Sequence, residues 1–300
     1  MSSGAKPLKL SIIGAGKVGR ALGLLARKAG YEIVDIVCES MRSAASAARF
    51  IGAGNPSPAN SARLSPAGVV LISTPDRRIP NAVSLLKRSW SAQKGVALHT
   101  SGALSSDVLA DLRPRGFSVG SCHPLQTFPS TTAALELVQR SYFCVEGDRP
   151  AVRAARNLVR RVGAQYFEIK PDEKSLYHSA AVLGSGGVTA LLSVSLEILA
   201  RCNLGERQSL RVLLPLVEGT VNNIRGIGPA RALTGPVPRG DAGTVRMNLE
   251  ALGKIDPDWR ELYRLLSRRA VALTRDAGIP SEKIKAVLPL LTSPARKRKQ

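Results

Sequence analysis

The sequence predicts an α/β protein, in which a doubly wound parallel sheet is followed by an all-α C-terminal domain. Three observations support this fold class. A short apolar run, residues 8–13, ends in a glycine cluster and leads directly into a helical pattern. Apolar strand segments then alternate with helical segments as far as Ile169. Beyond that residue almost every segment has helical periodicity, and such an order is typical of a parallel sheet joined to a helical domain.

Residues 14–19 read GAGKVG, which matches the pattern G-x-G-x-x-G at the end of the first predicted strand. In such a site the first glycine makes a tight turn, the second lets the backbone approach a pyrophosphate, and the third lets the helix pack on the strand. The pattern therefore predicts a Rossmann dinucleotide-binding domain, and a glycine-rich turn without a ligand is the alternative. The predicted cofactor-binding residues here are Gly14, Ala15, Gly16, Lys17, Val18 and Gly19.

The remaining elements follow from short apolar runs and from helical spacing. Further strands are predicted at residues 32–37, 68–73, 95–99, 117–120, 142–145 and 165–169, with helices at 105–112 and 149–162. In the second half, helices are predicted at 172–202, 206–224, 242–252, 257–277 and 281–290. The segment 226–241 is too rich in glycine and proline for regular structure.

This order of elements predicts three parts of the chain. Residues 1–169 form the NAD(P)-binding Rossmann domain, residues 170–292 form an all-helical substrate and dimerisation domain, and residues 293–300 form a basic, disordered tail. The apolar stretch 180–200 is nearly long enough to span a membrane. Because it contains Glu197 and several hydroxyl side chains, a buried helix is the better interpretation.

The 300-residue chain carries a formal net charge of +21, and basic residues outnumber acidic ones in both halves. Only the tail concentrates the charge, so the excess predicts a basic surface that attracts anionic cofactors and an anionic small-molecule substrate. An aromatic content of 4% argues against a base-stacking surface and hence against nucleic acid as a partner. No apolar segment precedes the first strand, which predicts a cytoplasmic protein without a membrane anchor.

An acidic residue after the second strand usually binds the ribose hydroxyls of a dinucleotide, about twenty residues beyond the glycines. Glu39 has that position and favours NAD, since it repels a 2′-phosphate. Arg42, with Ser40 and Ser43, could instead hold the phosphate of NADP. The choice between NADP and NAD therefore stays open, as does an ordinary solvent-facing turn.

Three loops follow predicted strands at the edge of the sheet where ligands bind. Thr74 and Pro75 lie in the first loop, and Ser101 and Gly102 lie in the second, so these four residues are predicted to bind the nicotinamide side of the cofactor. The third loop contains His123, a candidate donor to a substrate carbonyl or carboxylate. A structural histidine is the alternative for His123.

Lys174 and His178 are four residues apart in a predicted helix and therefore share one face, with Tyr177 beside them. A well-placed amine or imidazole can protonate the product of hydride transfer, and burial brings the pKa of a lysine toward working pH. Both residues are therefore candidate catalytic groups. The alternative is a surface lysine next to a structural histidine.

Five segments resemble one family. They are GAGKVG (14–19), HTSGALSS (99–106), GSCHPLQTF (120–128), KSLYHSAAV (174–182) and ALTGPVPRGD (232–241). The chain is similar to Rossmann-like proteins with the domain of unknown function 2520, which are relatives of pyrroline-5-carboxylate reductase, of F420-dependent NADP oxidoreductases and of the wider 6-phosphogluconate dehydrogenase C-terminal-like group. The resemblance covers nearly the whole chain.

The resemblance implies a Rossmann domain and a helical domain that commonly mediates dimerisation, with the active site between them. It also implies that Lys174 is an acid or base. From their place in the last motif, Arg239 and Asp241 are predicted to bind the substrate, since a guanidinium suits a carboxylate. The chain departs from the family pattern at two places. It has Gly186 where asparagine is usual, and it has Asn248 near the place of a usual histidine.

Two functions follow from these observations. The first is an NAD(P)-dependent oxidoreductase that transfers a hydride to or from a small C=O or C=N substrate at the interdomain cleft, working as a homodimer. The second is an NAD(P)-binding sensor or regulatory protein with little or no turnover, which the departures at Gly186 and Asn248 favour. Nucleic-acid binding through the basic surface is a weaker third hypothesis.

Overall fold

The structure, a computed structural model, describes residues 8–91 and 94–292. The chain divides into two compact units, Met1–Gly187 and Val188–Gln300. The sequence places its domain boundary earlier, after residue 169, so the helix that carries Lys174 packs with the first unit and not with the second. The predicted tail, 293–300, lies outside the described residues.

The first unit is built on one eight-stranded sheet with the strand order β3-β2-β1-β4-β5-β6-β7-β8. This order is that of a doubly wound sheet, and it confirms the predicted Rossmann architecture. The strands are β1 (Lys9–Ile13), β2 (Glu32–Cys38), β3 (Asn55–Pro58), β4 (Val69–Ile72), β5 (Gly95–His99), β6 (Phe117–Leu125), β7 (Tyr142–Gly147) and β8 (Gln165–Glu168).

Six helices belong to the first unit. They are α1 (Lys17–Lys28), α2 (Met41–Ile51), α3 (Ile79–Ser89), α4 (Thr131–Gln139), α5 (Arg149–Arg161) and α6 (Lys174–Gly184). The helix predicted at residues 105–112 is a 3-10 helix, Ser106–Arg115, which contains Pro114. The core forms because every residue of β4 is buried, with apolar helix faces packed on both sides of the sheet.

Two features of the sheet differ from the sequence prediction. Strand β3 reads NPSP, and proline lacks the N–H that a central strand needs, so this strand is tolerated only at the edge. Strands β6 and β7 are antiparallel, with Leu125 opposite Tyr142. The connection through α4 therefore turns back at one end of the sheet, because β7 begins where β6 ends.

The second unit is helical. Its elements are α7 (Gly186–Arg201, which starts at the boundary), α8 (Glu206–Ala232), α9 (Pro236–Arg239), α10 (Ala242–Ile255), α11 (Pro257–Asp276), α12 (Ser281–Ile284) and α13 (Leu288–Leu291). Its core contains Val245, Val271 and Val287. The segment 226–241, predicted to be irregular, is helical to Ala232, with a break at Gly228, where φ is 77°.

The predicted single helix 172–202 divides at Ser185, which separates α6 from α7. The prediction that this apolar stretch is buried is wrong, because no residue of α7 is buried among the described residues. The physical reason is that no described element of the chain covers its apolar side chains. By length and composition the helical stretch Pro171–Arg201 is the one described segment that could cross a membrane.

Candidate functional site

The glycine turn between β1 and α1 has the geometry that the sequence predicts. Gly14 has a φ of +85°, and a Cβ atom on it would lie 2.5 Å from Cγ2 of Thr74. A Cβ atom on Gly19 would lie 2.5 Å from the carbonyl oxygen of Gly14, so only glycine lets the helix approach this closely. Gly16, by contrast, faces open space. Exposed backbone at the start of α1 is therefore available to an anion.

A cavity of about 370 Å³ lies over this turn, at the carboxyl ends of β1, β2 and β4. Gly14, Ala15, Gly16, Thr74 and Pro75 all line it, so the structure brings these predicted residues together. Lys17 and Val18 lie in the first turn of α1. Among the described residues, Thr74 Oγ1 is one of the few buried side-chain atoms that lack a hydrogen-bond partner. An unpartnered hydroxyl therefore lies buried next to the glycine turn, and such a turn at the start of a helix suits the pyrophosphate of a dinucleotide.

The part of this cavity near the end of β2 is more basic than the sequence suggests. Arg78 NH2 lies 3.0 Å from Oε1 of Glu39, and both side chains line the cavity. Arg20 lines it too, and its Nε donates to the carbonyl oxygen of Ala15. Arg42 is exposed in the first turn of α2, next to the N-cap residue of that helix. One carboxylate and two guanidinium groups, those of Glu39, Arg20 and Arg78, therefore line this cavity.

The loop after β5 is organised by a buried histidine. The backbone N–H of Ser101 donates to Nδ1 of His99, so Nε2 of His99 carries the proton and donates to the carbonyl oxygen of Ser105. Ser101 Oγ accepts from the backbone N–H groups of Ala103 and Leu104. The hydroxyl that was predicted to bind nicotinamide thus shapes the loop that presents Gly102.

Lys174 is 1% exposed, although it is a lysine, and its Nζ donates a hydrogen bond of 2.7 Å to Ser121 Oγ. Burial lowers the pKa of Lys174. Burial is the main cause that lowers the pKa values of two neighbouring histidines, and the charge of Lys174 is the second. Together they lower the pKa of His99 to about 3 and that of His123 to about 4. Both histidines are therefore neutral at physiological pH.

His123, Tyr177 and His178 form a second cluster near Lys174. Nδ1 of His123 lies 2.7 Å from the hydroxyl of Tyr177, and the rings of His123 and His178 are 6.3 Å apart. Burial raises the pKa of Tyr177, so its hydroxyl keeps the proton. Nδ1 of His178 is buried without a hydrogen-bond partner among the described residues. All three side chains line a cavity of about 750 Å³.

Gly102 lies next to both histidines of this cluster. A Cβ atom on Gly102 would be 2.7 Å from Nδ1 of His178 and 2.8 Å from Nε2 of His123. The loop after β5 therefore approaches α6 closely because residue 102 has no side chain. The structure thus brings four predicted residues together in the first unit, which are Gly102, His123, Lys174 and His178.

The two predicted substrate residues of the last motif lie in the second unit. Asp241 is the N-cap residue of α10, where its Oδ1 accepts from the backbone N–H of Thr244 at 2.9 Å. Its carboxylate therefore has a structural use that the pattern Asp-x-x-Thr could have indicated. Arg239 is exposed at the end of α9. Of the two departures, Asn248 donates to the hydroxyl of Tyr263, and Gly186 faces open space.

Sequence reasoning missed several residues of this site. Ser121, Arg20 and Arg78 were not predicted, and Tyr177 was noted only as a neighbour of Lys174. Long-range contacts such as that between Ser121 and Lys174 have no signal in a single sequence. Arg78 was the easiest of these residues to predict, because it follows the same loop as Thr74. The structure pairs it with Glu39.

Two family models match the chain. Residues 2–126 match the model of the Rossmann-like domain, and residues 141–270 match the model of the domain of unknown function DUF2520. None of the curated proteins compared with this chain matches it.

Solved structures with the same fold cover most of the chain. Protein TM1727 from Thermotoga maritima is 26% identical, with a TM-score of 0.74 over 89% of this chain and 99% of that chain. Protein BF3122 from Bacteroides fragilis, provisionally named an NADP oxidoreductase, is 22% identical, with a TM-score of 0.69 over 89% and 98%. A pyrroline-5-carboxylate reductase from Coxiella burnetii is 14% identical, with a TM-score of 0.58 over 90% and 98%.

Proposed function

Because the chain combines a Rossmann-like domain with a DUF2520 domain, we propose that it is an NAD(P)-dependent oxidoreductase that transfers a hydride to or from a small C=O or C=N substrate. The names of two structural neighbours, an NADP oxidoreductase and a pyrroline-5-carboxylate reductase, support this reaction class. The nicotinamide ring, when bound, supplies or accepts the hydride.

The observation that carries the proposal is the glycine cradle beside Thr74. Gly14 and Gly19 are held by contacts that admit no Cβ atom, whereas Gly16 faces open space beneath the cavity. A pyrophosphate is the group that needs such a surface, because it accepts hydrogen bonds from backbone N–H groups at the start of α1. The unpartnered Thr74 hydroxyl and Pro75 then face the nicotinamide side, with Ser101 and Gly102 following along the sheet.

We assign NADP, and not NAD, as the preferred cofactor. Glu39 would repel a 2′-phosphate, but its carboxylate is paired with Arg78. Arg42 and Ser43 are exposed in the first turn of α2, shortly after Glu39 in the sequence. A basic cluster at a helix N-terminus suits a phosphate group.

The proton is handled by the groups around α6. His178 and His123 line the larger cavity. Lys174 is not among the described lining residues, and its Nζ atom donates a hydrogen bond to Ser121. Burial, and after it the charge of Lys174, lowers the pKa of His123. His178 is the proposed catalytic group at the cavity wall. Arg239 of the second unit remains a proposed contact for a substrate, whereas Asp241 serves as a helix cap.

The proposed assembly is a homodimer in the cytoplasm, in which a second copy covers the apolar face of α7. Val188 and Leu191 are 46% and 36% exposed on this helix. Glu197 and its hydrogen-bonded neighbour Ser193 lie on the same helix, and such side chains are costly in a bilayer. A protein surface is therefore a better partner for this face than lipid.

Steady oxidation of NADPH tests the reaction class. The assay uses a panel of small oxo acids, neutral ketones and cyclic imines, and a Lys174→Ala variant that should lose at least 100-fold in rate. Cofactor binding without oxidation by any compound would instead support the sensor hypothesis, which the open position at Gly186 and the internally bonded Asn248 favour.

A further inference from the structure

The larger cavity of the first unit has an uncharged wall. It measures about 750 Å³ and lies between the ends of β6 and β8 and the exposed side of α6. None of its described lining residues is a lysine, arginine, aspartate or glutamate. Its apolar surface comes from side chains such as Leu125, Phe167, Ala181 and Val182. The chain has a net charge of +21, so the absence of cations from the described lining distinguishes this cavity from the rest of the protein.

Two polar groups of the wall, those of His123 and Tyr177, are also neutral. Burial, together with the charge of Lys174, lowers the pKa of His123 to about 4, so its imidazole is uncharged at pH 7. The hydroxyl of Tyr177 lies 2.7 Å from Nδ1 of His123 and keeps its proton. The Nζ atom of Lys174 is directed to Ser121, and this residue is 1% exposed, so its charge is not on the wall.

Two imidazole rings of the cavity wall pack against the backbone of Gly102. A Cβ atom on Gly102 would lie within 2.7 to 2.8 Å of both Nδ1 of His178 and Nε2 of His123. Nδ1 of His178 is buried and has no hydrogen-bond partner among the described residues. An unpartnered buried nitrogen costs free energy unless a ligand or water bonds to it. His123 and His178 therefore pack closely on Gly102 and also line the cavity.

We propose that this cavity binds a neutral, largely apolar carbonyl compound or imine against the wall that contains His123, Tyr177 and His178. This inference rests on the proposed oxidoreductase function and narrows its substrate class. It replaces the anionic substrate that the overall charge of the chain predicts. A carboxylate loses its hydration when it enters the cavity, and no cation among the described lining residues offsets that free-energy cost.

A matched pair of ketones tests the substrate class. Acetophenone and 4-acetylbenzoate differ by one carboxylate, and their dissociation constants are measured by NMR titration on the NADPH-loaded protein. We expect acetophenone to bind at least 10-fold more tightly. In Ala181→Arg, which places a cation on the wall, the preference should fall at least 10-fold, whereas the uncharged Ala181→Met variant should keep it.

A second pair of variants tests whether the two imidazoles must keep their place in the cavity wall. Gly102→Ala places a methyl group against both imidazoles and should weaken acetophenone binding at least 10-fold. Gly68→Ala, whose added methyl group is 3.8 Å from the nearest atom, the carbonyl oxygen of Lys9, should bind like the wild type.

The outcomes separate this inference from the proposed function. Equal or tighter binding of 4-acetylbenzoate overturns the neutral substrate class, and so does normal NADPH binding with no binding of acetophenone. Loss of NADPH binding overturns the proposed function instead. The two ketones are in that case titrated on the protein without cofactor, where the same preference is expected.

Discussion

Nζ of Lys174 donates a 2.7 Å hydrogen bond to Ser121 Oγ, and the Ser121 hydroxyl donates in turn to the carbonyl oxygen of Ser101. This series of hydrogen bonds links the start of α6 to the middle of β6 and to the loop that presents Gly102. A buried ammonium group is stabilised by such bonds, since burial alone favours its neutral form. Lys174 is therefore held in place by the sheet, and its positive charge helps to lower the pKa values of His99 and His123.

The first prediction concerns the effect of this charge on His123. In Lys174→Met the positive charge is lost, so the pKa of His123 should rise above about 4, because the charge of Lys174 is one of its causes. The chain has three histidines, which makes side-chain NMR titration practical. Turnover should fall about 100-fold or more. Lys28→Met, an exposed lysine of α1, is the control, and an unchanged His123 pKa in Lys174→Met would refute the assigned role.

The second prediction concerns acid stability. The pKa of His99 is about 3 in the folded protein, compared with 6.5 for a free side chain. The unfolded state therefore binds more protons between these values, so the free energy of unfolding is highest above pH 6.5 and falls as the pH decreases. The loss from His99 should be roughly 2 kcal/mol by pH 5. Urea denaturation at several pH values measures it, and a folded His99 that titrates near 6.5 would contradict the prediction.

The third prediction concerns the choice between NADPH and NADH. Arg42→Ala removes an exposed guanidinium from the first turn of α2, and it should weaken NADPH binding about 10-fold while changing NADH binding little. Arg49→Ala, in the last turn of the same helix, is the matched control. Dissociation constants of both cofactors for the three proteins decide the question. An equal loss for NADH would show that Arg42 does not distinguish the two cofactors.

The fourth prediction concerns the apolar face of α7. Leu191→Glu places a charge on this face and should convert a dimer of 31.8 kDa chains into monomers. Gln208→Glu, on an exposed polar position of α8, should leave the mass unchanged. Sedimentation equilibrium measures the masses. A monomeric wild type would refute the dimer, and wild type that sediments with phospholipid vesicles would assign this face to a membrane.

The sequence contains enough information for the fold because strands such as β4 and helices such as α5 have strong local patterns. The antiparallel pairing of β6 with β7 could not be predicted, since pairing direction depends on how the chain turns at α4 and not on local periodicity. The edge strand β3 was missed because its two prolines are atypical of strands.

The candidate site, like the fold, could be predicted only in part from the sequence. Gly14 and Lys174 were identified from motifs, and the structure gives both of them close contacts. The contact of Tyr177 with His123 joins residues 54 positions apart, and no local pattern encodes it. Asp241 shows the opposite problem, since a local helix cap was interpreted as a substrate ligand.

The central claim, that the glycine turn binds a dinucleotide, is tested most directly by NADPH titration calorimetry on the wild type and on Gly16→Val. A Cβ atom at Gly16 meets no protein atom within 4 Å, so this variant should fold normally and lose only the space for the pyrophosphate. We expect micromolar binding by the wild type and at least 100-fold weaker binding by Gly16→Val, with an unchanged melting temperature of the free protein. Equal affinity of the two proteins, or no binding of either NADPH or NADH to the wild type, would contradict the account.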